Sequence, residues 1–292
     1  MLLGIVSSNV MAFEDNYEPP GKFYLMFDAF RLYMHCEGEG KTPIIIEAGI
    51  GDTLANWIPI QKKLSEHTKV CVYDRAGNGL SNPGPGPRTV SQITYELYTL
   101  LEKQKLEGPF ILMGHSFGGY VAQFFARAFP EKTAGVIMVD SSHPDQIERL
   151  ADLDKMKDKP KQNIGGYKFE DLDLLTKEQR YWKHLNAQRK SVWTQMDELK
   201  SFKDSAVELK QIDQSFPNIP LAILSRGLTQ LPTIDGKKSM ESEWQEMQKD
   251  LTSLSNKSWQ VIAKNSGHSI HQEAPEVIIE NTIKMIKITN KN

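Results

Sequence analysis

The segment Gly114-His115-Ser116-Phe117-Gly118 is the one short pattern in the chain that by itself specifies chemistry. It is a G-x-S-x-G run, set directly after the apolar stretch Pro109 to Met113 and directly before the helical pattern Phe117 to Phe129. That context predicts a strand, a sharp turn and a helix, with the serine hydroxyl lifted clear of the sheet edge. Glycines on both sides permit a turn too tight for Cβ atoms. A serine hydroxyl is a weak nucleophile at neutral pH, so the pattern requires a base beside it and a third group to hold that base. The helix that follows directs free N–H groups and its positive dipole end at the same point, where negative charge develops when the hydroxyl adds to a carbonyl.

Seven histidines compete for the role of base. His35 falls in an early strand pattern, His67 at a helix end and His184 in a charged helical stretch. His115 adjoins Ser116, where neighbouring side chains diverge, and His143 follows a strand end with no acid in an equivalent place after it. His268 follows the strand pattern Trp259 to Ala263 through Lys264-Asn265-Ser266-Gly267. It therefore stands at the carboxyl edge, where open α/β sheets gather their catalytic groups. His271, three residues on, is its rival. For the acid, Asp140 ends the strand pattern Gly135 to Val139. The corresponding place after Leu221 to Ser225 reads Ser225-Arg226-Gly227, with no acid before Asp235. Asp140 is thus the expected partner of His268, Asp235 the alternative acid, and a cap on the turn Ser141-Ser142 the structural alternative for Asp140.

The elements that must position these residues can be read from apolar periodicity. Pro43 to Glu47, Lys69 to Tyr73, Pro109 to Met113 and Gly135 to Val139 contain short continuous apolar runs, the mark of parallel strands buried on both faces, and Leu221 to Ser225 reads as a further, later strand. Phe23 to Phe27 and Arg31 to Cys36 read as strands nearer a sheet edge, the second alternating apolar and polar residues, and Trp259 to Ala263 as a late strand. Helical patterns at Ala55 to His67, Ser91 to Lys105, Phe117 to Phe129, Glu241 to Leu254 and Pro275 to Lys287 lie between or after them, which implies βαβ units and a mostly parallel α/β sheet. The charged helical stretch 144–217 interrupts the alternation. It is read as a lid between two core segments, 23–143 and 218–292; its alternative is a helical subdomain that gates nothing. Residues 1–22 form an N-terminal extension.

Taken together, Gly114 to Gly119, Tyr73-Asp74-Arg75-Ala76-Gly77-Asn78-Gly79-Leu80-Ser81, Val139-Asp140-Ser141-Ser142-His143-Pro144 and Ser266-Gly267-His268 resemble the α/β-hydrolase superfamily, in its serine-nucleophile, esterase-like form. The resemblance runs from about Phe23 to the end, apart from the lid. It implies an eight-stranded, mostly parallel sheet with helices on both faces, the lid following the sixth strand, and the chain order Ser116, Asp140, His268 for nucleophile, acid and base. It also implies a second oxyanion donor after the third strand. There the sequence is Glu47-Ala48-Gly49-Ile50-Gly51-Asp52, with Ala48 where the family usually has histidine; by position the Ile50 N–H joins that of Phe117. Asp74 and Arg75 read as a network fixing loops. Epoxide hydrolases and haloalkane dehalogenases resemble this layout but need a carboxylate where Ser116 stands, which leaves acyl transfer.

The expected activity is hydrolysis of a small-molecule carboxylic ester or lactone through an acyl-enzyme on Ser116. An amidase or aminopeptidase with the same triad, and a ligand receptor without turnover, are the competing readings. Lys+Arg 35 against Asp+Glu 37 gives a net charge of -2, which offers no basic surface for a nucleic acid. No apolar stretch is long enough to span a bilayer. No metal or organic cofactor is implied, and oligomeric state is not encoded in any pattern. Tyr181, Trp182, Trp193 and Phe202 read as the lid's own core ahead of a pocket lining. Cys36 and Cys71 belong to no CxxC pair and read as two buried thiols, a disulfide being the alternative. Met1 to Ala12 ends in small residues like a leader cleavage site but lacks a basic start, so a cytoplasmic location is favoured over export with a leader remnant.

Overall fold

A computed structural model describes residues 17–150, 176–231 and 239–291. Its centre is an eight-stranded sheet: β1 (Lys22–Met26), β2 (Phe30–Glu37), β3 (Ile44–Glu47), β4 (Val70–Asp74), β5 (Phe110–His115), β6 (Thr133–Val139), β7 (Leu221–Arg226) and β8 (Ser258–Ala263). The strands lie in the order β1-β2-β4-β3-β5-β6-β7-β8. β1 and β2 run antiparallel to their neighbours, and every later pairing is parallel. All eight strand patterns of the sequence are present, with ends moved by a residue or two.

The helices are α1 (Leu54–Leu64), α2 (Val90–Lys103), α3 (Gly118–Ala128), α4 (Gln146–Arg149), α5 (Lys177–Asn186), α6 (Arg189–Lys200), α7 (Phe202–Gln211), α8 (Met240–Asp250), α9 (Ile270–Glu273) and α10 (Pro275–Thr289). The apolar runs of the sheet divide strictly by parity. Ile45, Cys71, Tyr73, Phe110, Leu112, Val136, Met138, Leu221 and Ile223 pack beneath α2, α3 and α7. Ile44, Ile46, Val70, Val72, Ile111, Met113, Ile137, Val139, Ala222 and Leu224 pack against α1, α9 and α10. Successive strand residues point to opposite faces, so an unbroken apolar run is what a sheet covered on both sides requires. Each such side chain contributes roughly 1.5–3 kcal/mol by leaving water.

The connections reverse direction between β3 and β5. β3 leads through α1 outward to β4, and α2 then carries the chain back across to β5, from which the later strands extend the other way. The loops leaving β3 and β5 consequently part to opposite faces and leave a crevice at the carboxyl edge, the place where open α/β sheets bind ligands. The Ile50 loop and Ser116 sit on these two exits.

Two sequence expectations change. Cys36 and Cys71 form a disulfide, not two thiols. They are directly opposed in the antiparallel β2–β4 pairing, with Cα atoms 4.0 Å apart, a register invisible from the spacing of two isolated cysteines. Trp193 is not core: it is 58% exposed on α6, beside the equally outward Val192, Met196 and Leu199. The buried face of that helix is polar instead, formed by Ser191, Thr194 and Glu198, because it packs on the polar loop after β4. Trp182 is buried and Phe202 half-buried, but both pack on the main core and not on a separate core of the lid: Trp182 joins the α1 side of the sheet, and Phe202 lies tilted against Phe117 and Tyr120.

Candidate active site

β5 ends at His115, and Ser116 turns the chain with φ of +52°, in the left-handed region that non-glycine residues rarely enter. Strain there persists only when its surroundings over-determine it. Here the Ser116 N–H donates to Val139 O at 3.1 Å, and Ser116 O accepts from the amides of Gly119 and Ser142 at 3.0 Å each. The flanking glycines are required by close approach: a Cβ at Gly114 would stand 2.4 Å from Gly118 O, and one at Gly118 would stand 2.3 Å from Glu47 O. α3 therefore starts against the exit of β3. The amides of Phe117 and Ile50, on the two sides of the crevice, meet no acceptor among the described residues.

Arg75 holds the Ile50 loop in place. Its Nη1 donates to Ala48 O and its Nη2 to Gly49 O at 2.9 Å, while Nε and Nη2 form a fork on Glu198 of α6 at 2.8 and 2.9 Å. Asp74, alongside, accepts from the amides of Leu54 and Leu80 at 2.8 and 2.9 Å. The two residues form the loop-fixing network expected of them. Glu47, beneath the loop, is pushed up to about 7 by burial, against the pull of Arg75 and a hydrogen bond from Tyr73.

At the other side of β5, Asp140 follows β6 with φ of +40°. Its fully buried carboxylate lies 2.6 Å from His268 Nδ1 through Oδ2. It accepts three further hydrogen bonds: Oδ1 from the Arg226 amide at 3.1 Å and from Trp244 Nε1 at 2.9 Å, Oδ2 from Arg226 Nη1 at 2.9 Å. None of its bonds goes to the amides of Ser141 or Ser142, so it is not a turn cap. Burial raises the cost of its charge, but the contacts from His268, Arg226 and Trp244 outweigh that and hold it at about 2. His268 is itself half open to solvent, with its amide donating to Gln230 Oε1 at 2.9 Å. Asp235 lies outside the described residues.

The ring of His268 stands 4.8 Å, centroid to centroid, from that of His115, the residue immediately before Ser116, and the His268 carbonyl is 3.0 Å from His115 Nε2. No hydrogen bond joins Ser116 Oγ to His268 among the described residues. His271 is not placed to replace His268: burial, with His115 alongside, pushes it down to about 3, and its ring stacks on Trp57 at 4.6 Å. His143 accepts from the Asp145 amide through Nδ1, and its carbonyl accepts from Tyr120 Oη.

The family model described as alpha/beta hydrolase fold matches residues 42–218, more than half of the chain and both exits of the crevice. The chain belongs to the alpha/beta hydrolase family. Within it, the uncharacterized protein YqjL of Bacillus subtilis is 27% identical over 244 residues, which cover 84% of this chain and 83% of that protein. Among solved structures, the enol-lactonase from Burkholderia xenovorans LB400 is similar with a TM-score of 0.65 at 16% identity, covering 91% of this chain and 100% of its own. A thermophilic esterase from Thermogutta terrifontis is similar with a TM-score of 0.62 at 17% identity, covering 93% and 99%.

Against this alpha/beta hydrolase background, three residues around Asp140 escaped the sequence reading. Arg226 forks onto Glu241 with two bonds of 3.1 Å, lies 4.4 Å over the Trp244 ring and donates to Asp140. The sequence shows no acid directly after Leu221 to Ser225, and the cation standing there, Arg226, is the local signal of this network. Glu241 and Trp244, a helical i, i+3 pair on α8, looked like ordinary amphipathic residues, since nothing local marks a helix that delivers an indole N–H to a carboxylate a hundred residues away.

Proposed function

We propose that the chain is a serine hydrolase that cleaves carboxylic esters or lactones through an acyl-enzyme on Ser116, with His268 as base and Asp140 as its acid. The observation that carries this reading is the 2.6 Å contact between Asp140 Oδ2 and His268 Nδ1, made by a carboxylate wholly out of water. A hydrogen held on Nδ1 leaves the Nε2 lone pair free to take a proton, and the imidazolium that results is stabilised by the buried charge behind it.

In the proposed cycle Ser116 Oγ adds to the carbonyl carbon while His268 Nε2 takes its proton. The oxyanion rests on the amides of Ile50 and Phe117, and His268 then protonates the departing alcohol. Water repeats the sequence on the acyl-enzyme and releases the acid. Ser116 and His268 close on one another as substrate binds, since catalytic hydrogen bonds commonly tighten only in the complex. The ester or lactone class is supported by the likeness to an enol-lactonase and an esterase. The stretch 144–217, of which 151–175 lie outside the described residues, is read as the lid over a core of 23–143 and 218–292, supported by the reach of Glu198 through Arg75 to the Ile50 loop.

A fluorophosphonate probe and a chromogenic short-chain ester test the proposal together. Covalent labelling at Ser116 with continuous turnover, both abolished in Ser116→Ala, is the expected outcome. Well-folded protein that takes no label, or that turns over ester at most once, would remove the hydrolase reading and favour a ligand receptor. A panel of esters, lactones and amides run on the same material separates the ester class from an amidase.

A further inference from the structure

Two imidazoles and a carboxylate converge behind the Asp140–His268 pair without belonging to it. Asp52 lies in the loop between β3 and α1, His115 at the end of β5 and His271 in α9, and they bring one donor atom each to within 4.8 Å of the others. Asp52 Oδ2 is 3.1 Å from His115 Nδ1 and 3.6 Å from His271 Nε2. Both histidine rings are buried, and the Asp52 carboxylate keeps a narrow opening to solvent, its side chain 19% exposed.

The surrounding hydrogen bonds show which nitrogen of each ring faces the cluster. His115 Nε2 contacts the carbonyl oxygen of His268, which can only accept, so a hydrogen sits on Nε2, and Nδ1, 3.1 Å from Asp52 Oδ2, either shares a proton with that carboxylate or offers its lone pair to a metal that displaces the proton. His271 Nε2 meets the Gln272 side-chain amide at 3.1 Å, which can only donate, so that nitrogen presents a lone pair. Its Nδ1 has no partner among the described residues, so the polar contacts of this ring all lie on the edge facing Asp52. Three donor atoms thus converge on one small volume, where a proton on the His115–Asp52 contact or a metal cation among all three relieves the repulsion of their electron pairs. Gly49 keeps side-chain atoms out of that volume, since a Cβ there would stand 2.8 Å from His115 Nδ1 and 3.3 Å from Asp52 Oδ2.

We propose that Asp52, His115 and His271 form a binding site for a divalent transition-metal cation of the zinc class. Two imidazoles and one carboxylate are a donor set that zinc accepts, with water at the fourth position. Zinc–nitrogen bonds of 2.0–2.1 Å in a tetrahedron put neighbouring donors about 3.3 Å apart. The two edges to Asp52 are already close to that spacing, and the exposed Gln272 amide yields His271 Nε2 to the metal at little cost. The ligands sit on the three segments that carry Ile50, Ser116 and His268, so the bound cation braces the three loops against one another while His115 Nε2 keeps its bond to the His268 carbonyl. Its role is structural and off the reaction path. Sequence spacing could not reveal the set, because positions 52, 115 and 271 meet only through the parallel pairing of β3 with β5 and the docking of α9 beside them.

The full chain, stripped with a chelator, is titrated with Zn²⁺ by calorimetry and with Co²⁺ by visible absorption, and its melting is followed with and without Zn²⁺. The expected result is one Zn²⁺ per chain, the intense visible bands of tetrahedral Co²⁺ and a raised Tm. Asp52→Asn and His271→Phe each weaken binding by more than the roughly 10–100-fold that loss of an outer partner costs a metal site. Folded wild-type protein that binds no stoichiometric Zn²⁺ at millimolar metal overturns the proposal and leaves a proton as the cation of the cluster. Undiminished binding in both folded variants overturns it equally, by moving the ion to other histidines. If His271→Phe fails to fold, Asp52→Asn decides. If neither folds, the wild-type Co²⁺ spectrum decides, octahedral bands counting against the site. Binding is the readout throughout, so the outcome is independent of whether Ser116 is the nucleophile.

Discussion

Asp140 and Arg226, at the carboxyl ends of adjacent strands β6 and β7, form a buried pair in which one guanidinium nitrogen and the backbone amide of the arginine grip both oxygens of the carboxylate that also holds His268. The position after β7 holds no acid but the counter-ion of Asp140. Arg226 balances the charge that Asp140 buries, and Glu241 balances Arg226 in turn.

Asp140→Asn is expected to keep the fold and to lower kcat by about 10⁴, the loss seen when the equivalent acid of a serine-protease triad is made an amide, because the amide favours the wrong tautomer of the base. Steady-state kinetics on a short-chain ester measure it. A loss smaller than about tenfold would mean that another acid, Asp235 first, partners His268.

The depressed Asp140 carboxyl has a consequence for stability. Its folded value of about 2 lies below the ordinary aspartate value near 3.9, so the folded state binds this proton less readily than the unfolded chain. The contribution, on the order of 2 kcal/mol, is present in full above about pH 4 and disappears as pH falls through 2. Urea unfolding at pH 6 and at pH 2.5 should differ less in Asp140→Asn than in wild type, and an equal difference in both would contradict the assignment.

Arg226→Met removes the cation and leaves the Asp140 and Glu241 carboxylates buried together. Breaking a buried pair from one side costs roughly 3–5 kcal/mol. In the surviving folded protein the Asp140 charge is no longer shared with a guanidinium and holds a protonated base more firmly, so the acid limb of the kcat/KM profile, which reports the base, should move to higher pH. Arg226→Lys restores the charge without the fork and should recover the limb in part. A Met variant that loses stability but keeps the wild-type pH profile would make Arg226 merely structural.

The Cys36–Cys71 bridge links strands β2 and β4 across a sequence separation of 35. Replacing both residues with alanine is expected to lower unfolding stability by about 2–4 kcal/mol, measured by urea denaturation, with ester turnover unchanged at 25 °C. Stability equal to wild type would mean that the bridge is not formed in solution.

The fold was legible because each apolar run is covered on two faces, so that Ile44 to Ile46 or Phe110 to Met113 announce a buried parallel strand without knowledge of their neighbours. The tight turn at Ser116 was legible because a G-x-S-x-G run between a strand and a helix needs one, and the loop place of His268 because it follows the last strand pattern. What stayed hidden depends on long-range register. Cys36 opposite Cys71, Trp244 reaching Asp140 and His271 beside Asp52 are each products of packing between segments whose own patterns look ordinary.

The same distinction governs α6, whose inward residues are polar. Glu198, wholly buried, grips Arg75, and Arg75 in turn holds the carbonyls of Ala48 and Gly49, the second belonging to the peptide that carries the Ile50 N–H. Glu198→Gln keeps the size and one acceptor but removes the charge and breaks the fork. In the proposed cycle the loop's amide meets charge that exists only in the transition state, so its displacement should lower kcat with KM nearly unchanged, by up to the roughly 10²–10³-fold that loss of one oxyanion donor costs. Arg75 keeps Glu47 as a partner at 3.6 Å, so the fold should survive. A rise in KM at constant kcat would instead place Glu198 in ground-state binding and would separate the insertion from the oxyanion loop.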